Sequence, residues 1–66
     1  MKVHFDQTTD AIYFRLDDSD IMESEEVKPG VILDFNENNQ VVGVEILNAG
    51  KRIPASSLKQ IHFEVA

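Results

Sequence analysis

The sequence predicts a mainly β (or small α+β) protein: a single antiparallel sheet of five or six short strands, with a helical turn or short helix near the C-terminus. Three observations support this prediction. Apolar residues recur mostly at every second position, the period of a β-strand. Polar, turn-prone segments separate these runs. The chain has 66 residues with no repeat or break in composition, so we expect residues 1–66 to form one small domain.

The first half of the chain is predicted to contain three strands. Residues 2–6 and 11–16 alternate between apolar and polar side chains, and the polar stretch between them suits a hairpin turn. Residues 22–28 are mostly charged, which indicates an edge strand. The Pro29-Gly30 pair then bends the chain before the next strand.

The strongest strand pair is residues 30–35 with residues 40–47, since both segments are rich in β-branched and apolar residues. The four residues Asn36–Asn39 predict a tight turn between them, because Asn tolerates the left-handed conformation. Asn48 is a candidate cap for one helical turn over residues 49–52.

The C-terminal part is predicted to hold one more helical segment and one more strand. Pro54 precedes a short helical candidate at residues 55–60. Residues 61–65 alternate cleanly and are expected to form the last strand.

Both faces of the predicted sheet carry apolar side chains, and so few helical residues can hardly cover both. The larger set is Val3, Phe5, Ile12, Phe14, Leu16, Val42, Val44, Ile46, Ile61, Phe63 and Val65. The smaller patch is Tyr13, Ile32, Val41 and Leu47, although the alternation leaves the register of residues 31–35 open. An uncovered apolar face usually marks an interface. We therefore expect a homo-oligomer, with the smaller patch as a candidate dimer face.

The net charge of −6 is concentrated in one place. We call residues 17–26 the acidic segment; it contains six carboxylates and no base, while the other residues hold six acids and six bases. Its acids are Asp17, Asp18, Asp20, Glu23, Glu25 and Glu26. They are either a solvated edge kept soluble by charge or a site for a basic partner. Lys51, Arg52 and Lys59 are available to balance this charge, within one chain or between two.

Composition excludes several function classes. There is no Cys, so neither a disulfide scaffold nor a zinc-thiolate site is expected. The acidic balance argues against direct binding of nucleic acid phosphates. No apolar run approaches the roughly 20 residues that span a bilayer, and the first residues do not resemble a signal peptide.

No motif makes a strong case for chemistry. Residues 34–45 nearly match a calcium-binding loop, but their flanks predict strands rather than helices, so a hairpin explains them better. Residues 56–59 show a serine–lysine spacing without the companion motifs of the enzymes that use it. His4 and His62 would bind a metal only if paired terminal strands added Asp6 and Glu64. We expect no enzyme activity, no cofactor and no metal.

Three stretches resemble one known family. Residues 10–16 are similar to an acidic-Ala-Leu-Tyr-Ile-x-Leu signature, and residues 23–35 to a Glu-x-Glu-Glu-Val-x-Pro-Gly-Val-x-x-Asp stretch. Residues 41–47 are similar to its Val-Val-Gly-Ile-Glu-Ile-Leu strand. Together they resemble the small prokaryotic family called domain of unknown function 2283. The chain departs from it at Asn38-Asn39, where relatives often have Asp-Gly, and at Gly50, where Ser is common.

The resemblance implies a cytoplasmic protein of unassigned activity and supplies no catalytic residue. Members are often suspected to be antitoxins, since they resemble partners of small basic toxin-like proteins. Three hypotheses follow for this chain. The first is a protein-interaction module whose acidic segment binds a small basic protein. The second is a self-assembling homodimer without a toxin partner. The third, a divalent-metal-binding or catalytic protein, has no supporting motif in the sequence.

Overall fold

The computed structural model describes all residues from Met1 to Ala66 and contains one five-stranded antiparallel sheet. Its strands lie in the order β1-β2-β5-β4-β3, so two hairpin-linked units meet where β2 pairs with β5. The predicted mainly β fold class is confirmed. The elements are β1 (Lys2–Asp6), β2 (Ala11–Arg15), β3 (Glu23–Lys28), β4 (Val31–Phe35), β5 (Val41–Ile46), the helix α1 (Ala49–Arg52) and a 3₁₀ turn (Ser57–Lys59).

The strand register divides the sheet into two chemically different faces, because residues paired across strands point to the same side. We call the first the apolar face; it consists of Val3, Phe5, Ile12, Phe14, Val31, Leu33, Val44 and Ile46. We call the other the polar face; its members include His4, Tyr13, Arg15, Ser24, Ile32, Asp34, Gly43 and Glu45.

Two β-bulges interrupt this alternation. In β5, Asp34 pairs with Gly43 but Phe35 pairs with Val41, so Val42 is the extra residue, and it is almost completely buried. In β3, Val27 is the extra residue between the pairs made by Glu26 and Lys28. Each bulge shifts the residues beyond it by one position relative to the partner strand.

The tight turns use the residues that the sequence predicts. The side chain of Asn36 accepts hydrogen bonds from the backbone N–H groups of Asn38 and Gln40, both at 3.0 Å. Asn39 adopts a φ of 60°, the left-handed conformation that Asn tolerates. In the first hairpin, Asp6 accepts a hydrogen bond from the N–H of Thr8 at 2.9 Å.

The start of α1 is held by a residue that the sequence analysis did not single out. Asn48 occupies the predicted capping position, but it has a left-handed backbone and its side chain makes no capping hydrogen bond. Asp10 caps the helix instead. Its carboxylate accepts from the N–H of Gly50, and its backbone carbonyl accepts from the N–H of Ala49, both at 2.9 Å. This contact fixes α1 against the β1–β2 hairpin, and Ala49 is fully buried.

The predicted last strand is wrong. Residues 61–65 lie outside every strand, and the side chains of Ile61, Phe63 and Val65 are 59%, 72% and 85% exposed. The preceding 3₁₀ turn explains this difference. Leu58 and Lys59 line a groove together with Val3 and Phe5, so the chain leaves from the apolar face rather than from the edge of β1. Alternation alone therefore does not bring this segment into the sheet.

No helix in this structure has the length and apolar character that a membrane span requires.

We expect that removing residues 61–66 leaves the free energy of unfolding within about 0.5 kcal/mol of the full chain, because exposed, unpaired residues contribute little. Urea denaturation followed by far-UV circular dichroism, at one low protein concentration, measures this difference. A loss of several kcal/mol would show that the segment pairs with the sheet.

Candidate interaction site

The acidic segment forms the loop between β2 and β3 and most of strand β3. All six of its carboxylate residues are exposed. None of them forms a salt bridge, since the only such contact in the chain joins His62 and Glu64 at 3.0 Å. The six predicted residues are thus exposed and outside any salt bridge.

Local hydrogen bonds shape the loop that carries the first three acids. Asp17 accepts a hydrogen bond from the backbone N–H of Ser19 at 3.0 Å. This bond holds the pKa of the Asp17 carboxyl below its usual range, with a further contribution from the Ser19 side chain. Arg15 donates to the backbone carbonyl of Ser19 from the strand side. The loop is therefore tied to the end of β2.

Strand β3 is an edge strand, as its charge predicts. It pairs only with β4, so the other side of its backbone is open. Glu23 and Glu25 pair with Phe35 and Leu33 and so point to the apolar face, whereas Glu26 pairs with Ile32. The Glu26 carboxylate accepts from the N–H of Gly30 at 3.0 Å and closes the following turn.

The three C-terminal bases do not neutralise the acidic segment within the chain. Arg52 donates to the backbone carbonyl of Pro29 at 2.7 Å, Lys51 is exposed, and Lys59 lies on the 3₁₀ turn beside β1. Because β1 and β3 are at opposite edges of the sheet, Lys59 is on the far side from β3. Lys59 can therefore balance the charge of the acidic segment only between two chains and not within one.

The four residues of the predicted dimer face do not form one apolar patch. Tyr13 and Ile32 share the polar face, but both pair with Glu45, so this charged residue lies between them. The β5 bulge moves Val41 to the pair with Phe35. Leu47 follows the end of β5, where its N–H donates to the carbonyl of Gly30 at 2.8 Å.

A hydrogen-bonded network joins strands β2, β4 and β3 on the polar face. The Tyr13 hydroxyl donates to Oδ2 of Asp34 at 2.6 Å, and the Ser24 hydroxyl donates to Oδ1 at 2.6 Å. Asp34 is only 8% exposed. Both of its carboxylate oxygens are thus satisfied, as burial of a charged group requires.

Gly43 makes this network possible. It lies on β5 between Tyr13 and Asp34, and a Cβ atom there would overlap the Tyr13 hydroxyl and lie 2.8 Å from Oδ2 of Asp34. A glycine inside a strand signals such a close approach. Sequence reasoning placed Gly43 and Tyr13 on strands but missed the contact, which joins residues in different strand pairs.

The apolar face is only partly covered by the rest of the fold. Its predicted members in β1, β2 and β5 share one face except Val42, which is the bulge residue, and β4 adds Val31 and Leu33. Only Ile12 among its eight residues is buried, and the 3₁₀ turn covers one corner. Domains normally bury an apolar sheet face beneath a second layer. Here that layer is missing from a single copy.

The surface area supports the same conclusion. The chain exposes 5209 Å², about 1,000 Å² more than a compact protein of this mass is expected to expose. Its radius of gyration is 12.6 Å, against roughly 10.8 Å for a compact domain of 66 residues. The extended tail and the uncovered apolar face account for this excess.

The other candidate sites have different geometries. The near-match to a calcium loop is a hairpin in which Asp34 and Asn36 already bind protein donors. His4 lies on β1 and His62 on the tail, and the structure brings no group of three or more His, Cys, Asp or Glu side chains together. An open polar cleft of about 290 Å³ separates the acidic loop from the β4–β5 turn.

One family model matches the chain. Its description is "Protein of unknown function (DUF2283)", and it matches residues 2–49, which include the whole sheet and end at the first residue of α1. The resemblance found in the sequence is thereby confirmed. Among curated proteins and among solved structures, none matches the chain significantly.

We expect Gly43→Ala to destabilise the protein by about 2 kcal/mol or more, because the added methyl group displaces Tyr13 from Asp34. Chemical denaturation measures the change. The matched control is Gly50→Ala, whose Cβ would meet only the Asp10 carboxylate, at 3.1 Å, and which should cost less. Equal costs for the two substitutions would contradict the role given to Gly43.

The titration of Tyr13 provides a second test. Burial, and then the hydrogen bond to Asp34, raise the pKa of its hydroxyl above the usual value. Because the pKa is higher in the folded state, the hydroxyl stabilises the fold below pH ~10 and this contribution is lost as pH rises through the folded pKa. Tyr13 is the only Tyr and there is no Trp, so absorbance at alkaline pH reports this group alone.

The expected result is a titration midpoint above ~10 in the native protein and near ~10 in denaturant. In Tyr13→Phe, the free energy of unfolding should fall by about 1 to 2 kcal/mol at neutral pH. Its difference from the wild type should shrink at alkaline pH. Identical midpoints in the folded and unfolded chains would refute the contact.

Proposed function

The chain belongs to the DUF2283 family, whose function is unknown, and we propose that it acts as a non-enzymatic protein-interaction module. The uncovered apolar face is the single observation that carries this proposal. A contiguous apolar surface of this kind is costly in water and is typical of sites where another protein binds. We also propose a cytoplasmic location, which the resemblance to this family supports.

The polar groups of the chain support binding rather than catalysis. Asp34 is the one buried carboxylate, and Tyr13 and Ser24 occupy both of its oxygens. The exposed carboxylates of the acidic segment lie on an open surface, whereas general acid–base catalysis uses groups held in an enclosed pocket. We therefore assign these acids to recognition.

The partner that fits the acidic segment is a small basic protein, as an antitoxin-like role requires. The six exposed carboxylates supply a concentrated negative potential, which steers a positively charged protein toward the edge of the sheet. Strand β3 adds an unpaired backbone to which a partner strand can hydrogen-bond. Charge and an open edge thus coincide in one place.

Self-assembly is the second candidate function, and the surface area favours it. The uncovered apolar face contributes to the excess of about 1,000 Å² together with the exposed tail, and a standard protein–protein interface buries ~800 Å² of each partner. The two functions are compatible, because the loop of the acidic segment lies outside the apolar face.

Neutralising the loop acids tests the basic-partner proposal. We expect Asp18→Asn with Asp20→Asn to weaken binding of the basic product of an adjacent reading frame by about tenfold at low salt, with less effect at high salt. Isothermal titration with the purified partner measures both affinities.

The matched control is Glu45→Gln with Glu64→Gln, which removes the same number of charges from the polar face and the tail. This control should bind like the wild type. If both variants bind with unchanged affinity, the acidic segment is not the binding site. If both weaken equally, net charge alone is responsible and the proposed site is again contradicted.

A further inference from the structure

We propose that the apolar face is covered by the same face of a second copy. In this two-fold symmetric sandwich β3 of each copy lies across β1 of the other, and Glu25 lies near Lys59 of the partner subunit. The inference rests on the self-assembly candidate and adds the face, the symmetry and a charge pair.

The apolar face is suited to pack against a copy of itself. Two rows of paired residues cross it: Val31, Ile46, Ile12 and Phe5 form one, and Leu33, Val44, Phe14 and Val3 form the other. Each row is charged only at β3, where Lys28 pairs with Val31 and Glu25 pairs with Leu33. Beyond the corner that the 3₁₀ turn covers, two such faces can interdigitate as the inner layers of a β-sandwich, about 10 Å apart.

The polar face, on the opposite side of the sheet, is not suited to contact a copy of itself. On the polar face, the equivalent row contains Glu45 between Tyr13 and Ile32, and the next row contains Arg15 and Asp34. Stacking two polar faces would bury charges without partners, which costs several kcal/mol for each ion. Only the apolar face is therefore suited to contact a copy of itself.

The charges on β3 select the symmetry of the dimer. A two-fold axis perpendicular to the strands, lying between the sheets, would place β3 over β3 and, with the axis at the Glu25 row, bring the two copies of Glu25 together, while Glu23 would lie over Lys28 of the partner subunit. Like charges placed opposite one another cost several kcal/mol. A two-fold axis parallel to the strands instead places β3 over β1, at the edge where Lys59 lies.

This symmetry brings Glu25 close to Lys59 of the partner subunit. A two-fold axis parallel to the strands keeps each row of paired residues at the same position along the strand direction in both copies. Glu25 belongs to the row that ends at Val3, through its pair with Leu33. Val3 and Lys59 line the same groove. Glu25 therefore faces the Lys59 side of the partner subunit, which gives both unpaired charges an opposite charge.

Sedimentation equilibrium over about 1 to 100 µM, with the intact chain, tests this arrangement. We expect a dimer whose dissociation constant rises about tenfold in Glu25→Lys and also in Lys59→Glu, since each reversal places like charges together. Both residues are exposed, so folding is not at risk. The variant with both reversals should recover to within about threefold of the wild type.

Two control reversals make the same change of charge elsewhere: Lys2→Glu on the polar side of β1, and Glu37→Lys in the β4–β5 turn. They should leave the dimer unchanged. A dimer in which Glu25 and Lys59 reversals behave like these controls would overturn the arrangement and retain self-assembly. A folded chain that stays monomeric at 100 µM would overturn both, while binding of the basic partner remains a separate measurement.

Discussion

The hydrogen bonds from Tyr13 and Ser24 to Asp34 are the interaction on which the sheet depends most. They connect β2, β4 and β3 across β5, and they exist because Gly43 leaves space for the Tyr13 hydroxyl. A sheet without a second layer has few buried apolar contacts, so a buried and fully satisfied polar network adds rigidity where packing is limited. It also occupies the polar face with internal bonds.

This division of roles explains why the two faces differ in accessibility to partners. The polar groups of the polar face form hydrogen bonds within the protein. The apolar face remains half-exposed, with the 3₁₀ turn over one corner. The loop of the acidic segment adds a third surface, separate from both. Association through the apolar face would therefore leave the acidic loop free for a different protein.

Much of the architecture could be predicted from the local sequence pattern. Period-two alternation located the five strands, charge identified β3 as an edge, and the Asn-rich segment indicated the turn that ends at Asn39. These features depend on residues close together in sequence. Pattern could not exclude a strand at residues 61–65, because their alternation equals that of β1 and only the position of the 3₁₀ turn decides.

The site was less predictable, because its contacts join distant parts of the chain. Asp10 caps a helix 40 residues away, and Tyr13 reaches Asp34 diagonally over Gly43. The β5 bulge changes the partner of Val41, which no alternation rule reveals. The acidic segment was found from composition, since clustered charge is visible without knowledge of the fold.

The asymmetry between the two edge strands has a consequence for polymer growth. At β3, carboxylates beside the open backbone repel a second β3, whereas β1 has no comparable cluster of like charge. The proposed face-to-face dimer leaves the edges of each sheet without strand partners, so the carboxylates of β3 oppose strand addition at that edge and limit the growth of a fibril.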